Sequence, residues 1–579
     1  MNKGEDKMKK FLFVVMPIIC SIIFIGCEKK SMYQGQEMGE FAPPDAYLEG
    51  SKHAFYGSEN AWDRRFFTTQ LKDEYKRRGQ RQMIDLMEGR PSDTEKYCRE
   101  LISEDPNDLE SYFNLSAALA ILNKIDEAMD TLKIALKKGL PFDRFLAGPR
   151  DVLEPLISSE QFKTLASRYK TNILHGPMLG KVTDKSSSFW VRTINEINVS
   201  VRISKNKNLK PFVESSSVMS KKADDYTAIV TAKDLSPDTE YYYQMLVDGK
   251  VEPGSQIYSF KTYPEQGKGA KFQIVFGGCA GYAYFNERIW DSIKVHNPLA
   301  FLWMGDNVYI NMPTYPNAVH YYTYYRRQSR PEFKRLVSST SNYAIWDDHD
   351  AATDDVWLGP YRDKPGWKIP LLENFKQNWI NPFYGTDEWP GTYFNFTIAD
   401  VEFFMLDVRF YRTNPFEENP SMLGPNQKAW LLDVLKKSTA KFKVLASGVP
   451  WAFDAKADSR DTWNGFKQER KEIFDFIAQN NINGVLLLSG DRHRTDIRKI
   501  DRDNGYTMYD WESCRLTNTH VAPLEHGAIF EYNEKQTFGI IKFDTTLPDP
   551  TVTFEPMSID NEKLYEHKLK LSQLSGKGL

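Results

Sequence analysis

The chain of 579 residues is too long for one hydrophobic core, and an apolar content of 41% is ample for several packed domains. A formal net charge of −3 gives no argument for a nucleic-acid polyanion as partner, so no nucleic-acid-binding surface is expected. At the N-terminus Lys9 and Lys10 precede a 16-residue apolar run, Phe11 to Gly26, which is shorter than a comfortable membrane span and ends at Ile25-Gly26-Cys27.

That opening resembles a bacterial lipoprotein signal. The resemblance implies that residues 1–26 are removed and that Cys27 becomes the lipidated first residue of an exported, envelope-anchored protein. Ile25 stands where a small residue is commoner, and an uncleaved anchor helix is the alternative. Either way the body lies outside the cytoplasmic membrane. With Cys20 lost and Cys27 lipidated, Cys98, Cys279 and Cys514 remain, which is not the even, closely spaced set of a disulfide scaffold. Cys279 is therefore free to be a ligand.

Residues 27–74 read as a tether and a lead-in helix around Trp62 to Tyr75. Over 75–170, Pro106, Tyr112, Leu115, Ser116, Leu119, Ala128, Leu132, Ala135 and Leu140 fall at the spacings of a tetratricopeptide repeat. A degenerate copy with Cys98 and Leu101 precedes it, and helices from Phe142 to Tyr169 cap the pair. This is read as a helical module that packs on the body or docks a protein partner, with a plain helical lid as the alternative.

From 171 to 265 the period is two. Phe189 to Arg192, Val199 to Ile203, Tyr226 to Val230 and Tyr241 to Val247 alternate between turn residues, as in a β-sandwich. The stretch Leu235 to Met245 is similar to a fibronectin-type or purple-acid-phosphatase-type N-terminal domain. From 266 to 556 apolar runs alternate with helices, the pattern of a parallel sheet. Residues 557–579 read as a charged tail.

Four of the apolar runs stop abruptly at polar residues, in FQIVFGGC, LAFLWMGDNVY, YAIWDDHD and GVLLLSGDRH. Ligands bind just past the ends of such strands. The residues delivered are Cys279, Asp306, Tyr309, Asp347, Asp348, His349, Asp350, Asp491 and His493. Carboxylates gathered at one sheet edge repel one another unless a cation neutralises them. One thiolate, one phenolate, one imidazole and several carboxylates suit a hard trivalent ion and a second, oxygen-preferring ion that share a carboxylate.

The order GGC, GDxxY, WDDHD, SGDxH resembles the calcineurin-like metallophosphoesterases and, within them, the PhoD-like alkaline phosphatases, over residues 270 to 545. Supporting stretches are LDVR, GPNQKAWL, SGVPW and DTWNGF. The resemblance implies a multidomain chain whose catalytic domain is a four-layer α/β/β/α fold. It implies that Asp306 bridges two metals, that Cys279, Tyr309 and His493 complete an Fe3+ site, and that Asp348 and Asp491 bind a second metal, Ca2+. Asp348 replaces the usual Asn, Asp491 the usual first His, and there is no His from 350 to 492. An imidazole-poor second site favours calcium over zinc. Asp354 is a further oxygen ligand or a helix cap. The ions would polarise a phosphoryl oxygen and supply the attacking hydroxide, with His349 stabilising the transition state or protonating the leaving alcohol and Asp350 orienting its ring. Arg409 is a phosphate clamp or a salt-bridge partner of Asp407. Asn286, Asn307 and Trp463 are candidates to line the cleft. The expected activity is hydrolysis of small phosphomonoesters or phosphodiesters. The rival is a non-catalytic surface module that binds through its helical repeats and keeps a structural metal.

Overall fold

Along the described chain a run of helices is followed by a run of short strands, and then by strands and helices that build two extended sheets. The computed structural model describes residues 79–457 and 459–576. The signal segment, Cys27 and the expected helix around Trp62 to Tyr75 lie outside the described residues. Among the described residues no helix is long and apolar enough to cross a membrane.

Seven helices come first: α1 (Gln80–Met87), α2 (Pro91–Glu104), α3 (Leu109–Ile121), α4 (Ile125–Lys137), α5 (Asp143–Ala147), α6 (Arg150–Ile157) and α7 (Glu160–Ala166). Pro91 opens α2 where a missing N–H costs nothing, and Ser159 caps α7 by accepting the Phe162 N–H at 3.2 Å. The apolar positions spaced for helix packing, Tyr112, Leu115, Leu119, Ala128, Leu132 and Ala135, are all buried, as are Cys98 and Leu101. Arg144 and Glu110 form a fully buried ion pair at 3.1 Å.

Residues 173–261 fold into two antiparallel sheets. One is β1 (Ile173–Gly180), β2 (Ser187–Thr193) and β6 (Thr227–Ala232). The other holds β3 (Asn198–Ser204), β4 (Val213–Glu214), β5 (Val218–Met219), β7 (Glu240–Val247), β8 (Lys250–Val251) and β9 (Tyr258–Lys261). The Tyr241 hydroxyl accepts the Ser236 N–H at 2.8 Å and pins the turn before β7.

The remainder is built on two larger sheets. The first runs in the order β12 (Ser341–Ile345), β11 (Ala300–Met304), β10 (Lys271–Gly277), β20 (Thr537–Asp544), β21 (Thr551–Ser558), β22 (His567–Lys570). Strands β10 to β12 are parallel and the other three return antiparallel. The second is β13 (Phe394–Ile398), β14 (Val401–Met405), β15 (Phe442–Ala446), β16 (Val485–Ser489), β18 (Met508–Ser513), β17 (Thr495–Ile500), β19 (Phe530–Tyr532). Its four middle strands are parallel. Strands β11, β12, β15 and β16 are buried at every position, as expected of parallel strands covered on both faces.

Successive side chains explain the layering. Leu302, Met304, Phe403, Met405, Val444 and Leu486 share one core between the two sheets, which continues into the sandwich through Phe189 and Tyr243. Phe404, Leu445 and Leu487 point the other way, onto Leu431 of α13 (Gly424–Lys437) and Ile473 of α14 (Lys467–Gln479). Behind the first sheet Trp303 meets Trp290 of α8 (Ile289–Lys294) at 5.3 Å and Phe333 of α10 (Pro331–Val337) at 5.9 Å. Helix α9 (Ala318–Gln328) lies between the N-terminal helices and this sheet, with its Tyr322 hydroxyl accepting from Asn114 at 3.2 Å. Short α11 (Asp348–Ala351) and α12 (Lys368–Asn378) complete the helices.

The expected charged tail is corrected. Residues 567–570 form edge strand β22 on β21, Leu569 and Leu574 are buried, and Gly484 N–H donates to the Leu574 carbonyl at 2.7 Å. The lysines that make the sequence look like a tail, Lys568 and Lys570, face solvent on an edge strand, where lysine discourages further pairing. Leu574→Ala should therefore cost about 2–5 kcal/mol of stability, measured by denaturant unfolding; an unchanged midpoint would restore the tail reading.

Candidate metal centre

The parallel strands of both sheets end at one rim. Strand β10 delivers Cys279, β11 delivers Asp306, β12 delivers Asp347 and Asp348, and β16 delivers Asp491 and His493. Gly490 is where the sheets close on each other: a Cβ there would stand 3.1 Å from both the Gly448 and Met304 carbonyls. Gly305 has φ 95°, and a Cβ on it would come within 2.6 Å of the Asp347 Cβ. Four of the delivered residues also take left-handed backbone, Cys279 (φ 55°), Asp306 (52°), Asp491 (80°) and His493 (51°). Such conformations cost on the order of 1–3 kcal/mol each and persist where the surroundings over-determine them.

Two tight groups result, Cys279 with Asp306 and His493, and Asp306 with Asp348 and His349; within each, one ligand atom per residue lies within 4.8 Å of the others. Asp306 belongs to both. Its Oδ2 accepts the Tyr309 hydroxyl at 2.7 Å, while Oδ1 is buried and accepts nothing; Asp347 Oδ2 and Asp491 Oδ2 are likewise buried without a hydrogen bond. Burial, then the charges of Asp348, Cys279, Asp347 and Asp350, push the Asp306 carboxyl well above the usual carboxylate range. Burial and the Asp306 charge push the Tyr309 phenol up in the same way. Orphaned buried oxygens, a thiol and imidazoles held this close fit a pair of cations that share Asp306. Asp491 stands on the same rim, raised by burial and pulled down by Lys456 and Arg492, but the tight group around Asp306 and Asp348 is completed by His349.

Several expected roles change. The His349 ring is oriented by Asn311, whose Oδ1 meets Nδ1, and by Asp354, whose Oδ1 lies 3.3 Å from Nε2. Asp350 does not orient that ring. Its carboxylate accepts the backbone N–H groups of Asp347, Asn307 and Val308 at 3.0–3.1 Å; burial raises its pKa to about 7 against those three donors. Asp354, 40% exposed, is placed at His349 and outside both tight groups. Arg409 is not a free phosphate clamp, and its ion-pair partner is not Asp407. Fully buried, its guanidinium binds Asp347 and both oxygens of Asp461, at 2.6 and 3.2 Å for the latter. Asp407 instead accepts the Trp346 indole and three backbone N–H groups. Asn286, Asn307 and Trp463 are buried, donating to the Thr517 carbonyl, the Ile345 carbonyl and the Ser447 hydroxyl.

The residues that sequence reasoning missed are Asn311, Asp461 and the segment after β18. Asp461 was visible inside DTWNGF only as part of a matching stretch. Asn518, whose Nδ2 donates to the Tyr309 hydroxyl at 2.8 Å, and Cys514, whose Sγ lies 2.6 Å from that of Cys279, follow a strand that ends without a motif.

Residues 274–537 match the PhoD-like phosphatase family, and residues 170–262 match a domain family of unknown function, DUF7800. Alkaline phosphatase D of Bacillus subtilis (strain 168) is 23% identical over 383 residues, a match that spans 57% of this chain and 64% of the length of that relative. The solved structure of PhoD superposes with a TM-score of 0.54 at 17% identity, covering 70% of this chain and 92% of that one. A purple acid phosphatase from yellow lupin (Lupinus luteus) seeds superposes with a TM-score of 0.51 at 11% identity, covering 69% and 75%. These two likenesses concern the fold, and the sequence match to the PhoD-like phosphatase family spans residues 274–537, the part of the chain that carries the rim.

Proposed function

We propose that this chain is an exported, metal-dependent phosphoesterase acting on small phosphomonoesters or phosphodiesters. The observation that carries the proposal is the position of Asp306, shared by two tight ligand groups at the meeting edge of two sheets and holding a buried oxygen with no hydrogen bond. On this reading Cys279, Asp306, Tyr309 and His493 hold Fe3+, and Asp306, Asp348 and Asp491 hold Ca2+. When bound, such a pair polarises a phosphoryl oxygen and acidifies water for in-line attack. Export with lipid on Cys27, the four-layer α/β/β/α description, the fibronectin-like sandwich and the tetratricopeptide-like module, with a protein partner for its outer face, belong to the same reading and rest on sequence pattern.

The side chains of the chain itself then divide the work. His349, its ring fixed by Asn311 and Asp354, stands beside Asp306 and Asp348 as the proton donor to the leaving alcohol. Arg409 and Arg412 neutralise Asp461 and keep the acidic rim folded. Lys456, 3.9 Å from Asp355, and Arg492, beside Asp491, retain 28% and 12% side-chain exposure and are the cations placed to meet an anionic ester.

A chelator should abolish hydrolysis of chromogenic mono- and diesters, and iron with calcium should restore it; iron content with no hydrolysis of either ester would favour a non-catalytic module. His349→Ala should keep its metal content and lose about 10²–10⁴-fold in turnover. Equal loss of metal would make the ring a ligand instead. Arg409→Ala leaves Asp347 and Asp461 buried and short of a partner, so it should cost about 3–5 kcal/mol in unfolding experiments. Lys456→Ala should instead raise KM and cost less stability than Arg409→Ala; the reverse pattern would return Arg409 to the clamp role.

A further inference from the structure

One short segment reaches behind three of the four residues assigned to the first metal. It runs from Cys514 to His520, directly after β18, and is pinned to the rim at both ends. The Leu516 N–H donates to the Gly278 carbonyl at 3.1 Å, the Thr517 hydroxyl donates to the Gly281 carbonyl at 2.7 Å, and Gln536 Nε2 donates to the Asn518 carbonyl at 3.0 Å. Arg327 and Asn286 hold Thr517 from the other side, at 3.1 and 3.0 Å.

From this segment Cys514 Sγ faces Cys279 Sγ, Asn518 Nδ2 faces Tyr309 Oη, and the His520 ring sits edge-on to His493 at 4.7 Å between centroids. The orientation of the Asn518 amide is not arbitrary. Its Oδ1 accepts the His520 backbone N–H at 3.0 Å, which turns the NH2 end to the phenol. Both Cys514 and Asn518 are fully buried, so no water competes for these contacts.

We propose that Asn518 is a positioning residue that donates a hydrogen bond to the Tyr309 oxygen, the phenolate ligand of the first site, and thereby weakens it as an electron donor to the ion. The inference rests on the reading that Cys279 and Tyr309 ligate Fe3+. A hydrogen bond to a ligand lowers the energy of the donated electron pair, and partners of this kind tune metal sites through their ligands.

The test is the visible absorption of the iron-loaded full chain. A ferric ion bound by a phenolate absorbs by transfer of ligand charge to the metal, and a phenolate stripped of its hydrogen bond gives up that charge at lower energy. Asn518→Leu, and the nearly isosteric Asn518→Asp, should both move the band to longer wavelength. Band position is a property of each bound ion, so a residue that only braced the segment would lower iron content without moving the band of the iron that remains. An unmoved band in both Asn518 variants would overturn the proposal while leaving the ligand assignment intact. A native protein with full iron and no band would overturn the assignment of Tyr309 itself, and this inference with it.

Discussion

The structure depends on keeping a crowd of buried carboxylates from flying apart. Asp306, Asp347, Asp348, Asp350, Asp461 and Asp491 lie at or behind one rim, and the cations packed against them are Arg409, Arg412, Lys456 and Arg492. Arg409 is the centre of that arrangement. It sits between Asp347 and Asp461, 3.9 Å from Asp348, and those charges hold its guanidinium well above the ordinary arginine range despite burial. Asp461 is held well below the carboxylate range by Arg409, Arg412 and Lys456, which outweigh its burial. Among the described residues no arginine or lysine comes within ion-pair distance of Asp306, and burial and like charges raise it. The protein's own cations thus neutralise the back of the cluster and leave its front, around Asp306, in deficit of positive charge, which is the electrostatic case for a bound cation there.

Local geometry bears the same mark. Non-glycine residues in left-handed backbone are uncommon, yet Cys279, Asp306, Asp491 and His493 all take it within one site. The turn after each strand has to reverse sharply enough to aim its side chain back over the sheet edge, and the glycines beside them allow the backbones to approach. That strain is affordable only because two sheets, each with its outer face covered by helices, share one continuous core beneath the rim.

What the sequence made legible follows from how each element earns its burial. Parallel strands covered on both faces are unbroken apolar runs, so β10, β11, β12, β15 and β16 stood out together with the polar residues at which they stop. The antiparallel returns did not. Strand β17 reads TDIRKI because its charges are buried in pairs: Arg494 and Arg498 both reach Asp496, at 2.8 and 3.1 Å, and Arg498 reaches Glu531 at 2.6 Å. A strand whose interior is an ion network looks like a surface loop to any reading based on hydropathy. The same blindness turned β22 into a tail and hid Asp461 as the partner of Arg409, since spacing near Asp407 suggested a local pair and the actual one is 52 residues away. Ring orientation at His349 was misassigned for a related reason. Asp350 is the adjacent acid, but a carboxylate at the third position of a one-turn helix is better used on the backbone N–H groups around it, and Asn311, from the previous loop, takes the imidazole.

The loop from Asp306 to Asn311 shows why the domains outside the family match matter to the site. Asp350 accepts its N–H groups at Asn307 and Val308, Arg327 of α9 donates to the Asn307 carbonyl at 2.6 Å, and Ile310 N–H donates to the His349 carbonyl at 3.1 Å. The remaining contact comes from the N-terminal helices: Gln80 of α1 donates through Nε2 to the Tyr309 carbonyl and contacts Thr323 of α9 at 3.2 Å. Gly79, just before it, lies so close to α9 that a Cβ would overlap the Tyr322 hydroxyl, at 1.8 Å. A side chain from 229 residues upstream therefore donates to a carbonyl of the loop that carries Asp306 and Tyr309. A backbone carbonyl buried at such a place needs a donor. One face of the N-terminal helices thus packs on the two-sheet body and holds the loop that follows Asp306.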